Sequence, residues 1–321
     1  NFVAGELIQP LDPAVFPHEE IESEFFPIVS AMKRGEDYYG LPTAVRSLAL
    51  FYNKALFEEA GIANPPANLE ELLAAAEATT KRDGAGNITS AGITLDMAGQ
   101  DHHWWREVLI RQNGGEPYDA EGNVAYNSEA GIAALQFYTG LQTEHNVGLV
   151  GFMDEGQAAF RAGLAAMTID GTFRLGAFES NPFEWGVVEL PANADGVRSN
   201  YASYFANAIG ATAQGEELEA AQKFLAYISS PEAMEIWLDV VGELPARREV
   251  ALTEENLADP VLGPFIRGLD YAHTTTFYDE AGQRQIAIDM VNRVLIEGQS
   301  IEDSIAQAAE AEQAIIDQAR N

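Results

Sequence analysis

The side chains that most often carry catalysis or hold metals are sparse in this sequence and stand outside the usual patterns. The chain has five histidines, no cysteine, and none of the motifs G-x-S-x-G, G-x-x-x-x-G-K-[ST] and G-x-G-x-x-G. His18-Glu19-Glu20 opens like a zinc-protease motif but lacks its second histidine. His102 and His103 are adjacent, and neighbouring side chains on a helix point about 100° apart. These histidines therefore do not predict a shared metal ion.

Acidic residues supply the remaining candidates for chemistry. The segment Asp83-Gly84-Ala85-Gly86-Asn87 resembles the start of a calcium loop, but the later carboxylate ligands are missing, which favours a solvated turn. With 50 Asp and Glu in 321 residues, carboxylates at glycosidase separation arise by chance. We therefore expect a protein that is not an enzyme and that binds no cofactor and no metal.

The overall charge narrows the range of partners. The 18 Lys and Arg against 50 Asp and Glu give a net charge of −32, which repels nucleic-acid phosphates and anionic lipid headgroups. No apolar run approaches the roughly 18 residues of a membrane-spanning helix. We expect a partner that is neither a nucleic acid nor a membrane surface. At about 100–200 residues per domain, the length predicts two domains.

The elements that must position any functional residue are predicted by apolar runs and capping residues. Ser47–Tyr52 is a continuous apolar run typical of a buried strand, and Ala165–Ile169 is a second one. Capping patterns predict helices after Asn53, Asn68, Ser128, Ser230 and Ser300, and another one capped by Asp170-Gly171-Thr172. Trp104–Gln112 has helical character. Because strands alternate with helices, the pattern indicates an α/β protein with mostly parallel sheets.

Several segments, in order along the chain, resemble one family. They include "YGLP…YNK.LF..AGI", "F..G.AAM.IDG" and "G.LPAR", and they lie within Tyr38–Ile62, Pro65–Asp83, Asp101–Gly115, Ala158–Phe178, Ala206–Ala213, Lys223–Val250 and Val291–Ile315. Together they resemble the family 1 extracellular solute-binding proteins of the maltodextrin-binding type. These proteins are the sugar-binding components of bacterial ABC importers.

The resemblance implies the type II periplasmic-binding-protein fold, in which two interwoven α/β lobes are joined by crossover hinge strands. By this comparison the crossings fall at Val45–Leu48, near Tyr204–Asn207 and near His273–Thr276. The N-terminal lobe would comprise residues 1–45 and 205–273, and the C-terminal lobe residues 46–204 and 274–321. The segment that opens the N-terminal lobe in the family has no counterpart here, so we expect that lobe to be incomplete at its start.

The resemblance also implies a function. It predicts the substrate-binding component of an ABC importer, which captures a carbohydrate (an oligosaccharide, glycoside or polyol) in the interlobe cleft by hinge closure. The expected partners are the sugar or a related solute and the permease membrane subunits. The protein would be monomeric and periplasmic or extracellular, either free or lipid-anchored. Two alternatives stay open, which are a binding protein for an anionic metabolite such as a sugar phosphate and a glycoside-acting enzyme.

Carbohydrate sites need aromatic faces for C–H surfaces and planar polar groups for hydroxyls. Trp104 and Phe173 stand where relatives carry aromatic residues that stack on sugar, and Trp105 is a further candidate. Since two adjacent Trp on one helix are not expected to face the core together, one of them should be exposed or lie in the cleft. Arg174 follows Phe173 directly and is a candidate contact.

The remaining candidates lie near the expected crossings. Tyr204 and Asn207 belong to the second crossing strand, and Arg247 ends the motif Leu244-Pro245-Ala246-Arg247. Arg46 and His102 stand where the maltodextrin-binding type carries carboxylates. Arginine offers a fork of donors and no acceptor, so Arg46 suits a carboxylate, a phosphate or paired hydroxyls. An ion pair across the hinge with one of the many acidic neighbours explains Arg46 equally well.

Overall fold

A computed structural model describes residues 2–3, 5–96, 99–153 and 156–320, apart from the side chains of residues 100 and 101. Contacts divide the chain into two compact units, each built from two segments. Unit 1 is Asn1–Ser47 with Ala202–Thr276, and unit 2 is Leu48–Tyr201 with Phe277–Asn321. The lobe boundaries and hinge crossings expected from the family resemblance stay predictions.

The described residues form short strands, one long strand and many helices. The strands are β1 (Ile8–Gln9), β2 (Lys33–Arg34), β3 (Asp37–Tyr38), β4 (Leu41–Asn53), β5 (Lys81–Arg82), β6 (Ile88–Ile93), β7 (Ala165–Gly171), β8 (Trp185–Val188), β9 (Asn200–Asn207), β10 (Ile209–Gly210), β11 (Leu244–Pro245) and β12 (Ala272–His273). The α-helices are α1 (His18–Glu24), α2 (Lys54–Glu59), α3 (Leu69–Thr79), α4 (Gln100–Gln112), α5 (Glu129–Thr143), α6 (Gly156–Arg161), α7 (Leu175–Phe178), α8 (Gly215–Ile228), α9 (Pro231–Val241), α10 (Arg248–Ala251), α11 (Glu254–Ala258), α12 (Leu262–Gly268), α13 (Glu280–Leu295) and α14 (Ile301–Arg320). Short 3-10 helices cover Pro27–Met32, Thr172–Arg174 and Leu269–Tyr271.

The long strand β4 organises the sheet pairing, and most of that pairing is antiparallel. In unit 1 it pairs with β9 and β11, and in unit 2 with β7 and β8, always antiparallel, whereas β6 and β7 run parallel. The expectation of mostly parallel sheets is therefore wrong. Alternating strands and helices do not by themselves fix strand direction, because the long connections from β4 to its partners allow either direction.

Side-chain caps begin the helices where the sequence predicts them. The Asn53 side chain accepts hydrogen bonds from the backbone N–H groups of Ala55 and Leu56, and Asn68 accepts one from Glu71. The cap residues Ser128 and Ser230 do the same for α5 and α9. Such caps satisfy helix N–H groups that otherwise lack a partner, and each stabilises its helix by about 1 kcal/mol.

Helices α8 and α9 of unit 1 carry more exposed than buried apolar surface. Leu225 and Met234 are buried, whereas Phe224 and Val240 are 64% and 78% exposed. We call the exposed apolar side chains of these helices the α8–α9 face; its members are Phe224, Tyr227, Ile236, Trp237, Val240 and Val241. Exposed apolar residues at protein surfaces are mostly scattered singly, whereas these two successive helices carry six of them.

Across the described part of the chain, no helix has the length and apolarity needed to cross a bilayer.

Candidate functional site

Arg46 of unit 1 is held by an ion pair with Glu243. The Arg46 Nε donates to both carboxylate oxygens of Glu243 at 3.0 and 2.9 Å, and its Nη2 also contacts Oε1. Two parallel bonds of this kind are the strong, geometrically specific form of an arginine–carboxylate pair. Of the two explanations left open for Arg46, the structure therefore shows the ion pair, within one unit.

The local fold explains why Glu243 lies beside Arg46. Helix α9 ends at Gly242, which adopts the left-handed conformation at φ 76° that favours glycine. The chain then enters β11, where Leu244 pairs antiparallel with Val45. Glu243 is thereby brought next to Arg46. Sequence reasoning missed Glu243, although a helix-ending glycine followed by an acidic residue and a short strand was the available signal.

Phe205 is a second residue that sequence reasoning missed. Its ring is 50% exposed, and the guanidinium carbon of Arg46 lies 4.6 Å from the ring centroid, at cation–π distance. The predicted candidates Tyr204 and Asn207 lie on the same strand, β9. Tyr204 is half-buried, and burial raises the pKa of its hydroxyl. Asn207 is exposed and its side-chain amide donates to the Thr43 hydroxyl at 3.3 Å.

Arg247, also in unit 1, has a different set of partners from Arg46. Its Nε donates to the Ser229 carbonyl at 2.6 Å, its Nη1 pairs with Glu24, and its guanidinium carbon lies 4.6 Å from the Phe25 ring centroid. These contacts tie the start of α10 to the end of α1 and the end of α8. They indicate a structural role, and a ligand contact by Arg247 stays a prediction.

In unit 2 the structure brings Trp104 and Phe173 together around Tyr201. The rings of Trp104 and Tyr201 are stacked, with centroids 4.7 Å apart and planes 10° apart. Phe173 meets Trp104 edge-on at 6.4 Å. Trp104 and Tyr201 are buried, whereas Phe173 is half-buried. The two buried rings therefore support the aromatic residue that is partly accessible.

The chain around Phe173 differs from the sequence expectation. Strand β7 continues through Gly171 and is followed by a 3-10 turn rather than by a capped helix. The Phe173 ring packs directly over Gly171, since a side chain at Gly171 would place its Cβ 2.2 Å from a Phe173 ring carbon. Arg174 contacts both neighbours of this turn. Its Nε donates to the Asp170 carboxylate at 3.3 Å, and its guanidinium carbon lies 5.2 Å from the centroid of the Phe173 ring.

His102 and Trp105 lie inside the core of unit 2, each about 1% exposed. The His102 ring nitrogens contact the Tyr138 hydroxyl at 3.2 Å and the Thr94 hydroxyl at 3.4 Å. Trp105 packs edge-on against Tyr138 at 5.7 Å. Trp104 is 5% exposed and packs in the same core, so the two adjacent tryptophans face the core together and neither is exposed, contrary to the expectation. A cleft contact by Trp104 stays a prediction. Ligand contacts by His102 and Trp105 stay untested.

Each unit thus presents its own small set of planar groups. Unit 1 offers the Arg46–Glu243 pair beside the accessible ring of Phe205, and unit 2 offers Phe173 beside the Arg174–Asp170 pair. An aromatic face combined with a paired planar charge suits a ligand with C–H surfaces and a fringe of hydroxyls. The arrangement resembles a binding surface more closely than a catalytic one, since neither set contains a nucleophile with an adjacent base.

Comparison with known proteins finds solute-binding proteins of ABC transporters among the relatives of this chain. A maltooligosaccharide ABC transporter solute-binding lipoprotein of Streptococcus pneumoniae (strain R6) is 24% identical over 238 residues, which are 71% of this chain and 54% of that protein. The chain spans about half the length of the curated relatives it matches.

Solved structures share the fold. The cyclic alpha-maltosyl-1,6-maltose binding protein of Arthrobacter globiformis matches with a TM-score of 0.81 at 23% identity, over 96% of this chain and 80% of that one. UgpB from Mycobacterium tuberculosis, in complex with glycerophosphocholine, matches with a TM-score of 0.79 at 19% identity, over 99% and 81%. The two-lobe α/β fold that the resemblance implied is confirmed by these neighbours. Residues 3–263 match the family model described as bacterial extracellular solute-binding protein, and the chain belongs to that family.

Proposed function

We propose that this protein is the substrate-binding component of a bacterial ABC importer, that it captures a carbohydrate, and that it delivers the ligand to the permease membrane subunits. The observation that carries the proposal is the family match over residues 3–263. A relative named for maltooligosaccharide transport and a fold neighbour named for binding a cyclic maltosyl sugar support a carbohydrate as the ligand class.

The Arg46–Glu243 pair favours a neutral carbohydrate over an anion. A bound phosphate or carboxylate would need the charge and the donor fork of Arg46, and Glu243 already occupies one edge of that fork and neutralises its charge. A phosphate-containing ligand is the second candidate, because a neighbour of the same fold holds glycerophosphocholine.

Two side chains are assigned to sugar stacking, one in each unit. Phe205 and Phe173 are the rings with accessible surface beside a paired arginine. Trp104 would position Phe173 through their edge-on contact, in which the ring centroids lie 6.4 Å apart. Asn207 and Tyr204 lie on the strand of Phe205 and are assigned secondary polar contacts.

The proposal includes binding without turnover and a place outside the cytoplasmic membrane. The family description is extracellular, and the pneumococcal relative is a lipoprotein. Whether this protein is free or carries a lipid anchor is the finer part of the proposal. Incubation with chromogenic glycosides tests the first point, and release of product at a rate that scales with protein concentration would contradict it.

The test of the ligand class is a thermal-shift and calorimetric panel of neutral oligosaccharides, polyols, sugar phosphates and organic acids. A ligand at 100 times its dissociation constant stabilises the folded state by about 2.7 kcal/mol. Stabilisation by neutral sugars with none by anions is the expected result. Stabilisation by anions alone would replace the carbohydrate with the second candidate.

The variant Phe205→Ala tests the site itself. Loss of a stacked ring should weaken sugar binding by about tenfold or more, since aromatic contacts contribute about 1 kcal/mol or more beyond their buried area. Phe224→Ala is the matched control, because it removes another exposed ring, which lies on helix α8 of the same unit. Equal affinities of both variants would remove Phe205 from the site.

A further inference from the structure

A small cavity lies inside unit 2 among helices α4, α5, α13 and α14. Its lining combines apolar side chains such as Leu135 and Ile305 with the ionisable residues Arg106, Glu107 and Glu312. The space open to the centres of water molecules is about 40 Å³. A water needs roughly 10–15 Å³ by this measure, so the cavity has room for about three waters.

Arg106 is the residue that makes this cavity unusual. It is 5% exposed, its Nε, Nη1 and Nη2 have no hydrogen-bond partner of normal geometry among the described residues, and its polar side-chain neighbour is Tyr138. The guanidinium carbon lies 5.1 Å from the Tyr138 ring centroid, so the ring covers one face and leaves the N–H groups unsatisfied. A buried cation without hydrogen-bond partners is strongly destabilising. Some group that accepts hydrogen bonds must therefore occupy the cavity.

The charges around the cavity identify that group. Glu107 and Glu312 also line the cavity. Their two carboxylates outnumber the single guanidinium, so an additional anion would be repelled. A cation would in turn meet Arg106. Glu312 accepts hydrogen bonds from Tyr118, Tyr126 and Gln283, and its oxygens keep lone pairs for a further donor. The occupant must accept from the guanidinium and donate to carboxylates, as water does.

We propose that the cavity is a hydration site in which about three bound waters link the Arg106 guanidinium to the carboxylates of Glu107 and Glu312. The waters satisfy the guanidinium and connect helix α4 with helix α14. The site lies within unit 2 and does not depend on the identity of the transported ligand.

A high-resolution crystal structure of the whole chain, determined with and without a bromide soak, tests the proposal directly. Ordered waters are expected within about 2.7–3.2 Å of the guanidinium nitrogens, with no anomalous bromide signal there. An empty cavity would overturn the proposal. A bromide peak at Arg106 would also overturn it and would make the cavity an anion site.

Arg106→Met adds a solution measurement. Methionine fills similar space without needing hydration, so the waters next to the side chain should vanish from the crystal structure. The buried carboxylates of Glu107 and Glu312 then lose their water-linked cation, so the melting temperature is expected to fall by several degrees. Arg111→Met is the control, because Arg111 lies on the same helix and the substitution removes its ion pair with Glu116. Waters that stay in place beside the methionine, or equal melting temperatures for the two variants, would overturn the proposal.

Discussion

At the scale of single residues, Glu243 controls how much charge Arg46 presents. Their two side chains are 26% (Arg46) and 14% (Glu243) exposed, so the pair is partly shielded from solvent and its neutralisation matters more than at an open surface. Because Glu243 directly precedes β11 and Arg46 lies in β4, the pairing depends on the register of those strands. Charge selection at this position is thus set by a residue that need not contact the ligand.

Glu243→Gln should convert this surface toward anions. The amide no longer cancels the guanidinium charge, so we expect sugar phosphates to gain about tenfold in affinity, which corresponds to about 1.4 kcal/mol. Titration calorimetry with a sugar phosphate and with its neutral parent sugar measures the change. Glu243→Asp keeps the charge and should not show the gain. The same response from both variants would contradict the neutralising role.

His103 should make the stability of the protein depend on pH. Burial, together with the nearby positive charges of Arg106 and Arg284, lowers the pKa of His103 from its ordinary 6.5 to about 3. In the unfolded chain the His103 imidazole therefore binds a proton near pH 6.5, whereas in the folded chain it binds that proton only near pH 3. Stability is fully present above pH 6.5 and is lost at about 1.4 kcal/mol per pH unit as the pH falls below it.

The contribution of His103 can be isolated with His103→Gln. The melting temperature of the variant should fall less steeply than that of the parent between pH 6.5 and pH 4, because the proton-accepting group is absent. Parallel curves for the two proteins would show that His103 is not the origin of this slope. Measurements above pH 7 provide the baseline difference caused by the substitution itself.

At the scale of secondary-structure elements, helix α14 is fixed by one buried carboxylate. Glu312 is 4% exposed and accepts hydrogen bonds from the hydroxyls of Tyr118 and Tyr126 and from the Gln283 amide. The burial and the carboxylate together raise the pKa of both tyrosines. The last helix of the chain is thereby attached to the segment before α5 and to α13.

Glu312→Gln is expected to destabilise the protein by about 2 kcal/mol. The amide turns a donor toward groups that already donate and removes the charge that strengthens their bonds. Chemical denaturation followed by circular dichroism measures the loss. Glu310→Gln is the matched control, since Glu310 is an exposed residue of the same helix and should change stability by less than about 0.5 kcal/mol. Equal effects would show that the buried network contributes little.

The elements differ in how far the sequence could predict them. Local signals sufficed for the caps at Asn53 and Ser230 and for the buried strand within β4, because neighbouring residues determine them. The antiparallel partners of β4 and the burial of both Trp104 and Trp105 depend on segments distant in sequence. For the same reason the Arg46–Glu243 pair, which joins residues far apart along the chain, was not predicted, although Arg46 itself was.

At the scale of the whole molecule, the net charge of −32 should make stability depend on ionic strength. Like charges repel more in the compact state than in the unfolded chain. Between about 0.01 M and about 0.15 M salt the Debye length falls from about 30 Å to about 8 Å. We therefore expect the melting temperature to rise by several degrees over this range.

Scanning calorimetry in sodium chloride and in potassium chloride checks this prediction. Equal rises in the two salts indicate screening, because screening depends on ionic strength rather than on the cation. A rise in only one of them would indicate a bound ion. An unchanged or lower melting temperature would mean that the acidic residues are already compensated locally.

At the α8–α9 face, added salt should lower the solubility of the protein even though it raises the stability of the fold. Screening removes the mutual repulsion of two acidic molecules, while salts such as sulfate strengthen the association of apolar surfaces. Added ammonium sulfate should then stabilise the fold of each molecule and at the same time reduce solubility. On a hydrophobic-interaction column the protein should be retained through the exposed rings of Phe224 and Trp237, and Val240→Asp should elute earlier. The protein would thus bind an apolar surface such as the column resin through unit 1, which fixes its orientation there.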